Sequence, residues 1–554
     1  MKKLLSLLLC VAMIMGCTAT AAYAADDLTV LVANDLHLSL KSYTPYTGNT
    51  QTNPWSHVPT SGQLIRESNA IITAFLDNAA NSSAKAILLP GDLVDTGVEE
   101  EHVLMAAKLA EFEAATGKQV YVVPGNHDLF KTDSAAFEAI YADFGYNQAV
   151  AEDDNSAAYV ADIDDTYRLI AIDSTLPGGS VADMTPEKIE WIAAQLAQAK
   201  ADGKYVIAMM HHNLLEHFIF GSQIHAGAIV ADASFKDTLA DNGVKFIFTG
   251  HTHDQDIASY TSSNGNVIYD VVTNSINGYP CQYRQVTFAK DVKFETKTVS
   301  KVDAELIPAG LSEEAMSLLT SDFTAYTKKV MWTGLRTNFT GYLNASSLIT
   351  LLKLSEETDP DMCRIIRSLG DKLEEIVQMP FYTADENGKS MQAVAAEYGK
   401  TLPASNYTDL IDLAITLYQA HCTGDENYPA NSTEVQLLLN AVSTVLCYCL
   451  EDISAEDYTL VLKFVLTLTG ASATDDILNF AGNTMERVKG IDMVASLVLR
   501  PLVTEFTTDD SPADNNVTLT GYGKVSAFEQ FVQKIKSFFD KIAEFFRMLF
   551  SFAG

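Results

Sequence analysis

Five short stretches of the sequence place Asp, Asn and His side chains directly after runs of apolar residues. The stretches are Asn34-Asp35-Leu36-His37, Pro90-Gly91-Asp92-Leu93-Val94-Asp95, Pro124-Gly125-Asn126-His127-Asp128, Met210-His211-His212-Asn213 and Thr249-Gly250-His251-Thr252-His253. They contain six of the eleven histidines of the chain. A single Asp after a strand is usually a cap or turn residue, and a single His is usually a hydrogen-bonded polar group. Five such stretches taken together instead indicate a shared metal site.

The apolar runs predict buried β-strands, and the amphipathic segments between them predict helices. The predicted strands are Leu28–Val32, Ala86–Leu89, Val120–Val123, Arg168–Ile172, Tyr205–Met210 and Val244–Phe248, followed by the paired strands Asn266–Val272, Gln285–Ala289 and Val292–Thr298. The predicted helices are Gln63–Asn78, His102–Ala115, Ser134–Phe144 and Pro186–Ala201. This alternation is typical of a layered α/β domain. Because open α/β sheets build their sites at the carboxyl ends of strands, we expect the five stretches to converge.

In this order, the motifs Asp-x-His, Gly-Asp-x-x-Asp, Gly-Asn-His-Asp, His and Gly-His-x-His resemble those of the calcineurin-like metallophosphoesterase family. The resemblance covers residues 28–300. It implies an α/β fold in which two mixed β-sheets pack face to face between helices, as a four-layer α/β/β/α sandwich. We therefore expect a metallophosphoesterase catalytic domain over residues 25–305, followed by a mostly α-helical domain.

The resemblance also implies that the domain binds two divalent metal ions. One would be held by Asp35, His37, Asp92 and His253, and the other by Asn126, His211 and His251, with Asp92 shared by both. Oxygen and imidazole ligands suit Mn²⁺, Fe²⁺ or Zn²⁺, and a water bridging two such ions would be deprotonated near neutral pH and act as nucleophile. His212 stays an alternative to His211, because Asn213 stands where many relatives have proline. Asp95 stands where purple acid phosphatases carry a tyrosine, which argues against a tyrosinate-iron site.

By the same resemblance, His127 faces the substrate instead of a metal ion. It would protonate the leaving oxygen or stabilise the transferring phosphoryl oxygens, which suits an imidazole that titrates near neutral pH. We assign Asp128 a catalytic role in orienting His127, with capping of the following turn as the alternative. Two further histidines, His217 and His225, would reach the mouth of the pocket, but lone histidines are more often surface groups.

The expected function is metal-dependent hydrolysis of a phosphomonoester or phosphodiester. The alternative is a catalytically silent module of the same fold that binds or scaffolds at the cell envelope, because a fold does not guarantee a function. The substrate stays open, since the residues that would select it lie in loops such as 42–62 and 218–229. Asn126-His127-Asp128-Leu129-Phe130 lacks the Asn-His-Glu-Phe-Asp sequence of 5′-nucleotidases, which argues against that group.

The first residues have the pattern of an export signal. Lys2 and Lys3 precede an apolar run from Leu4 to Met15, and Ala22-Tyr23-Ala24 is a small-residue cleavage pattern. We therefore expect residues 1–24 to be a signal peptide and the protein to be extracytoplasmic, either secreted or associated with the cell envelope. A lipoprotein signal with a lipidated Cys17 is the alternative.

The composition restricts the classes of partner. The formal net charge of −34 repels nucleic acid, so we expect a phosphate-ester substrate and no nucleic-acid-binding surface. Five cysteines remain beyond the signal: Cys281, Cys363, Cys422, Cys447 and Cys449. An odd number without regular spacing does not predict a disulfide framework, and buried free thiols are the expectation.

Beyond Pro308 the pattern is mostly helical, and we expect a helical domain over residues 306–506. The predicted helices are Ser312–Met331, Met362–Val377, Leu410–His421, Val435–Leu450, Tyr458–Leu468 and Asp475–Val488. Residues 507–524 are rich in Thr, Asp, Asn and Gly and predict a linker. Residues 525–554 predict an amphipathic C-terminal helix, which would dock on the helical domain or make a peripheral membrane contact.

Overall fold

The structure is a computed structural model, and it describes residues 27–181, 184–217, 233–384, 388–424, 426–468, 484–509 and 511–522. The predicted signal peptide and the predicted C-terminal helix lie outside the described residues, as does His225. Two main β-sheets with their helices are formed mostly by residues before 300, and a group of helices occupies most of the chain after residue 310.

The strands end where the sequence places its polar stretches. They are β1 (Leu28–Val32), β2 (Ala86–Leu89), β3 (Gln119–Val122), β4 (Ala149–Glu152), β5 (Tyr159–Asp162), β6 (Tyr167–Ile172), β7 (Thr175–Leu176), β8 (Ser180–Val181), β9 (Tyr205–Met210), β10 (Phe246–Thr249), β11 (Asp256–Thr261), β12 (Val267–Val272), β13 (Gln282–Phe288), β14 (Asp291–Thr298) and β15 (Asn516–Thr520). The predicted strands are present, with shifts of at most a few residues at their ends.

Both main sheets are mixed. The first has the order β15-β14-β13-β1-β2-β3, in which β1 pairs parallel with β2 and antiparallel with β13. The second has the order β11-β12-β10-β9-β6-β5-β4, with parallel pairing among β6, β9, β10 and β12. The strands β7 and β8 form a separate short hairpin.

The helices are α1 (Ser68–Ala80), α2 (Glu99–Thr116), α3 (Ser134–Ile140), α4 (Pro186–Ala201), α5 (Ala233–Asp241), α6 (Glu313–Ser321), α7 (Phe323–Tyr342), α8 (Ala345–Leu351), α9 (Pro360–Val377), α10 (Met391–Glu397), α11 (Leu410–Thr423), α12 (Thr433–Leu450), α13 (Ala455–Leu468), α14 (Thr484–Val494) and α15 (Arg500–Thr507). Of the predicted helix Asp475–Val488, only the part from Thr484 lies within the described residues. Helix α12 is long and apolar enough to cross a membrane, but more than half of its apolar stretch is buried inside the protein.

The alternation of side chains along β9 shows how the layers are stacked. Ile207 and Met209 lie in the core between the two sheets, whereas Ala208 and Met210 pack against α4 and α5 on the outer face of the second sheet. Successive side chains of a strand point to opposite faces, so both faces of this sheet are covered. Helices α1 and α2 contribute Phe75 and other apolar residues to the core that contains the first sheet. The predicted four-layer α/β/β/α arrangement is confirmed.

The helical part begins differently from the prediction. The predicted single helix Ser312–Met331 is two helices, α6 and α7, because the Asp322 side chain accepts a hydrogen bond from the backbone N–H of Ala325 and caps a new helix. Helix α6 and the first half of α7, through Tyr326 and Val330, pack into the core of the sheets. The helical core begins at Met331. The change from one core to the other therefore occurs within α7 and not at residue 306.

The predicted linker 507–524 is wrong for residues 516–520. They form β15, which pairs antiparallel with β14 at the edge of the first sheet, with Leu519 opposite Val292. The buried face of β15 has only Val517 and Leu519 as apolar residues, so its alternating pattern is too short to stand out in a Thr- and Asn-rich sequence. The five cysteines beyond the signal are buried free thiols, as predicted.

Candidate metal centre

The five polar stretches meet at the carboxyl ends of strands from both sheets. The first stretch runs beside the second, since the backbone N–H of His37 donates to the Asp92 carbonyl over 3.0 Å. The two sheets are joined by the backbone N–H of His251, which lies 3.1–3.2 Å from the two carboxylate oxygens of Asp35. The backbone N–H of Gly250 donates to the His211 carbonyl over 2.9 Å. These contacts bring side chains from distant parts of the chain to one place.

A first cluster contains Asp35, His37 and His253. The Nε2 atoms of His37 and His253 lie 3.4 Å apart. An oxygen of Asp35 lies 3.3 Å from Nε2 of His253 and 3.9 Å from Nε2 of His37. Oδ2 of Asp92 is 3.8 Å from Nε2 of His37. The four residues predicted to hold one metal ion thus surround one small space.

A second cluster contains Asn126, His211 and His251. The amide oxygen of Asn126 lies 2.9 Å from Nε2 of His211 and 2.8 Å from Nδ1 of His251, and those two nitrogens are 3.2 Å apart. Oδ2 of Asp92 is 3.4 Å from Nε2 of His211. The same Asp92 oxygen therefore lies beside both clusters, while its other oxygen accepts the backbone N–H of His127 over 2.8 Å.

His211 and His212 have different surroundings. Nδ1 of His211 lies 3.0 Å from the carbonyl of Pro90, a bond that requires the proton on Nδ1 and leaves the Nε2 lone pair for the cluster. Nδ1 of His212 instead lies 2.9 Å from the hydroxyl of Ser174. Burial, with His211 beside it, lowers the pKa of His212 to about 3. The geometry therefore places His211, and not His212, among the other candidate ligands.

The candidate ligands have an unusual backbone conformation. Asp35, His37, Asp92, His251 and His253 all have φ between 41° and 70°. Residues other than glycine rarely adopt this left-handed backbone conformation, which costs about 1–3 kcal/mol of conformational strain for each residue. Such strain persists only where the surrounding structure imposes it. Five strained residues at one site indicate that the fold holds these side chains in place for a function.

Glycines before the ligands allow the loops to approach closely. A Cβ on Gly125 would lie 2.2 Å from Oδ1 of Asp92, and one on Gly250 would lie 2.6 Å from Oδ2 of Asp35. Both distances are shorter than any real Cβ contact, so a side chain at either position would displace a candidate ligand. The glycines of the motifs are thus needed for the packing of the site itself.

The donor set fits divalent cations. Imidazole nitrogens and amide and carboxylate oxygens converge in both clusters, where neighbouring atoms lie 2.8–3.9 Å apart. Burial lowers the pKa of His37 and of His251 well below the usual value, which favours the neutral, ligating form. At the other two imidazoles the carboxylates outweigh burial: Asp92 raises the pKa of His211 to about 9, and Asp35 raises that of His253, so a cation that binds there displaces a proton. Burial alone would raise the pKa of Asp92, but His211 and the other histidines hold it well below its usual value, so Asp92 is ionised. Metal identity is not specified by these ligands, and the assignment of each ligand stays a prediction.

His127 stands at the edge of the first cluster, with its ring centroid 4.6 Å from that of His37. Nδ1 of His127 donates to the carbonyl of Asp95 over 2.6 Å, which leaves Nε2 as the free nitrogen of the ring. The half-exposed Phe130 packs on the same ring at a centroid distance of 4.5 Å. The structure therefore brings His127 to the candidate site and fixes its ring orientation.

The expectation that Asp128 orients His127 is not what the structure shows. The Asp128 carboxylate is fully buried and accepts the backbone N–H groups of Leu93, Val94 and Gly125 over 2.8–3.2 Å. It thereby ties the loop after Asp92 to the loop before Asn126. The Asp95 carbonyl, and not a carboxylate, orients the His127 ring. Sequence adjacency suggested the wrong partner, because neighbouring side chains here turn in different directions.

Three supporting residues escaped the sequence analysis. The side-chain nitrogen of Gln63 lies 3.3 Å from Nδ1 of His253, so this amide contacts the outer nitrogen of a candidate ligand. The hydroxyl of Ser275 donates to the Asp35 carbonyl over 2.8 Å, and the amide of Asn277 donates to the Leu36 carbonyl. The polar run from Thr273 to Asn277 after β12 was a usable signal, since it follows a buried strand as the five stretches do.

The chain is similar to known proteins over part of its length. The model of the calcineurin-like phosphoesterase family matches residues 28–255. The chain is 26% identical over 188 residues to a Rhodococcus erythropolis protein named "probable cyclic nucleotide phosphodiesterase". This match covers 33% of this chain and 56% of that protein. The chain is also 26% identical over 162 residues to an Arcobacter nitrofigilis protein named "probable glycerophosphodiester phosphodiesterase". This second match covers 28% of this chain and 54% of that protein. The chain thus spans little more than half the length of these relatives.

Among solved structures, the crystal structure of a dimetal phosphatase from Danio rerio is similar to this chain, with 13% identity and a TM-score of 0.35. The match covers 49% of this chain and 96% of that protein.

Proposed function

We propose, from the premise that residues 28–255 belong to the calcineurin-like phosphoesterase family, that this protein hydrolyses phosphate esters with the help of two divalent cations. The observation that carries the proposal is the position of Asp92. One of its oxygens lies within 3.4–3.8 Å of a histidine nitrogen in each of the two ligand clusters. A single carboxylate in that position can be shared by two cations, which is the arrangement of two-metal hydrolases.

Each cluster supplies the ligands for one cation. Asp35, His37 and His253 with Asp92 would hold the first, and Asn126, His211 and His251 with Asp92 would hold the second. Mn²⁺, Fe²⁺ and Zn²⁺ all suit this mixture of oxygen and nitrogen. When bound, two such ions polarise a phosphoryl oxygen and lower the pKa of water toward neutrality. We propose no particular metal, since the ligand set does not distinguish among the three.

The His127 ring is proposed to act on the ester itself. Because Nδ1–H is donated to the Asp95 carbonyl, Nε2 of the neutral ring carries no proton. Once the ring has taken up a second proton at Nε2, that nitrogen can give the proton to the departing oxygen or donate a hydrogen bond to the phosphoryl group. The bond to Asp95 fixes the orientation of the ring, so the ring need not reorient during the reaction. General acid catalysis of this kind contributes about 10²–10⁴-fold to the rate.

The leaving group is proposed to lie over Phe130. This ring is 42% exposed and packs against His127, so an ester oxygen within reach of His127 has its substituent beside an exposed aromatic face. The β7–β8 hairpin supports Phe130 from behind, because a Cβ on Gly179 would lie 2.2 Å from the Phe130 ring. An apolar or aromatic substituent would gain contact area there.

The class of ester is tested with a substrate panel. Purified protein with added Mn²⁺, Fe²⁺ or Zn²⁺ is assayed against phosphomonoesters and phosphodiesters with aryl, glyceryl and nucleoside substituents. We expect metal-dependent hydrolysis of at least one class, and the names of the relatives support including diesters. If the metal-loaded protein cleaves none of them, the proposal of an enzyme fails, and the alternative of a binding or scaffolding module takes its place.

The proposed location is extracytoplasmic, on the basis of the signal-like pattern of residues 1–24. Mass spectrometry of the protein from cells that export it tests this point. An N-terminus at Ala25 is expected, a lipidated Cys17 would indicate the lipoprotein alternative, and a retained Met1 would contradict export. A peripheral membrane contact through residues 525–554 is part of the same proposal, and unchanged membrane fractionation after their deletion would remove it.

A further inference from the structure

The C-terminal end of α11 is inserted behind the candidate metal centre. Its last carbonyls have no partner within the helix, and side chains from the sheet region bind them. The amide of Asn274 donates to the Cys422 carbonyl over 2.9 Å. The amides of Gln282 and Asn515 donate to the Thr423 carbonyl over 3.1 and 2.9 Å. The helical region is therefore bonded directly to the segment that follows β12.

His421, in the last turn of α11, reaches the loop that carries two candidate ligands. Its Nε2 lies 3.2 Å from a carboxylate oxygen of Asp254, the residue directly after His253. Its Nδ1 lies 2.5 Å from an oxygen of Glu426. All three side chains are buried, so the imidazole lies between two carboxylates away from solvent. The helix dipole also favours a protonated imidazole at the C-terminal end of a helix.

Gln255, which follows Asp254 in the loop, also lies against the C-terminal end of α11. A Cβ on Gly424 would lie 2.8 Å from the Gln255 carbonyl oxygen and 2.9 Å from its Cγ atom, so the two backbones approach as closely as a glycine allows. Gln255 is fully buried and accepts the backbone N–H of Asn274 over 3.1 Å. The segment Asp254–Gln255 is thus fixed between α11 and the sheets.

This fixation matters because the loop is strained. His251 and His253 both have left-handed backbone angles, with φ of 70° and 60°. Such angles persist only where surrounding contacts impose them. Beyond the metal cluster, the ring of His253 contacts the Gln63 amide, and the fixed Asp254 follows His253 in the chain.

We propose that His421 is a positioning residue for the metal centre: through Asp254 it holds the His251–Gln255 loop so that His253 points into the first ligand cluster. The helical region then has a definite role, which is to complete one of the two metal sites from behind. This inference rests on the proposed function only for the identity of the ligand, a divalent cation, and not on hydrolysis itself.

The test measures Mn²⁺ binding to chelator-treated full-length protein by calorimetry. His421→Leu keeps the volume of the side chain but removes both ring nitrogens. We expect two Mn²⁺ ions in the parent protein, and in the variant a 10–100-fold weaker affinity for one of them, the size usual for groups that orient a ligand. The affinity for the other ion should stay within threefold. His421→Gln, whose amide can still donate to Asp254, should recover part of the loss.

Gln419→Leu is the matched control. Gln419 lies on the same helix and is equally buried, but its amide donates to the Lys328 carbonyl on α7 and not toward the metal loop. It should leave both affinities unchanged even where thermal unfolding shows a loss of stability. If His421→Leu fails to fold, Gly424→Ala replaces it, because its Cβ would press on Gln255 and should weaken the same ion.

A double variant identifies the ion. In His253→Ala the first site is already impaired, so adding His421→Leu should change the remaining affinity no further. Wild-type affinities for both ions in His421→Leu, or an equal loss in Gln419→Leu, would overturn the proposal. A parent protein that binds two ions but cleaves no ester would defeat the proposed function alone, since the role of His421 is measured by metal affinity.

Discussion

The amide oxygen of Asn126 lies 2.9 Å from Nε2 of His211, although the two residues come from strands of different sheets. Asn126 follows β3 in the first sheet, and His211 follows β9 in the second. With Asp92 Oδ2 3.4 Å from the same nitrogen, His211 occupies the corner where the two sheets share a site. This contact distinguishes His211 from its neighbour His212, whose Nδ1 lies 2.9 Å from the hydroxyl of Ser174.

Replacing either histidine by alanine tests this distinction. His211→Ala should lose one of two bound metal ions, because it removes a ligand nitrogen from the second cluster. His212→Ala should keep two ions and lose only stability, since it deletes a buried side chain behind the site. Elemental analysis of the dialysed variants, together with thermal unfolding, checks both. The reverse pattern would make His212 the ligand and would contradict the geometry.

Replacing His127 separates its two proposed roles. His127→Ala should keep both metal ions and lower kcat about 10²–10⁴-fold. If the ring protonates the leaving oxygen, the loss should be larger for an alkyl ester than for a nitrophenyl ester, whose leaving group needs no proton. If it stabilises the phosphoryl oxygens, the two losses should be equal. Unchanged activity toward both esters would remove His127 from the mechanism.

Phe130 is predicted to select the substituent of the ester. Phe130→Ala should raise KM for nitrophenyl phosphate about fivefold, corresponding to about 1 kcal/mol of lost aromatic contact, while KM for glycerol phosphate stays unchanged. Val103→Ala, an exposed apolar residue on α2, is the control and should alter neither. An equal rise for both esters would indicate a general effect on the site and not contact with the substituent.

His217 is predicted to make folding stability depend on pH. Its buried ring lies 2.5 Å from Asp256 and 3.1 Å from Asp270. Burial lowers the pKa of His217, but Asp270 and Asp256 outweigh it and raise the pKa to about 10. Because the folded pKa exceeds that of an unfolded histidine, about 6.5, the stabilisation is complete below pH 6.5 and disappears as the pH rises toward 10.

Urea unfolding from pH 6 to 10 measures this effect. The stability of the parent protein minus that of His217→Gln should fall across this range by an amount on the order of a few kcal/mol. Below pH 6.5, the variant itself should be less stable by about 3–5 kcal/mol, as expected when one partner of a buried ion pair is removed. A difference that is independent of pH would show that the ring is neutral in the folded protein.

The strands and the seven candidate ligands were predictable because each ligand lies next to its strand in the sequence. An apolar run followed by Gly-Asp or Gly-His encodes both the strand end and the ligand locally. The choice between His211 and His212 was not local. It follows from the alternation along β9, where Ile207 and Met209 face the space between the sheets. His211 lies two residues after Met209 and therefore on the same side, whereas His212 lies on the opposite side. The sequence alone does not show which face of the strand is the inner one.

The remaining features depend on partners far away in the chain. His217 was expected to be a surface group, and its burial depends on Asp256 and Asp270, which lie on strands of the second sheet. Gln63 contacts His253 across 190 positions, and β15 joins a sheet whose other strands end before residue 300. Neither periodicity nor a short motif contains such pairings, so only the folded structure reveals them.

Metal reconstitution tests most directly our proposal that two cations sharing Asp92 make this protein a phosphoesterase. Chelator-treated protein is assayed with bis(4-nitrophenyl) phosphate and 4-nitrophenyl phosphate while Mn²⁺ is added. We predict no hydrolysis without metal, recovery as two ions bind, and a loss of more than about a hundredfold in Asp92→Asn, since a shared ligand matters more than groups that orient ligands. Asp162→Asn, which alters an ion pair with Arg168 on β6, should behave like the parent protein. Full hydrolysis by the metal-free protein, or by Asp92→Asn, would contradict the claim.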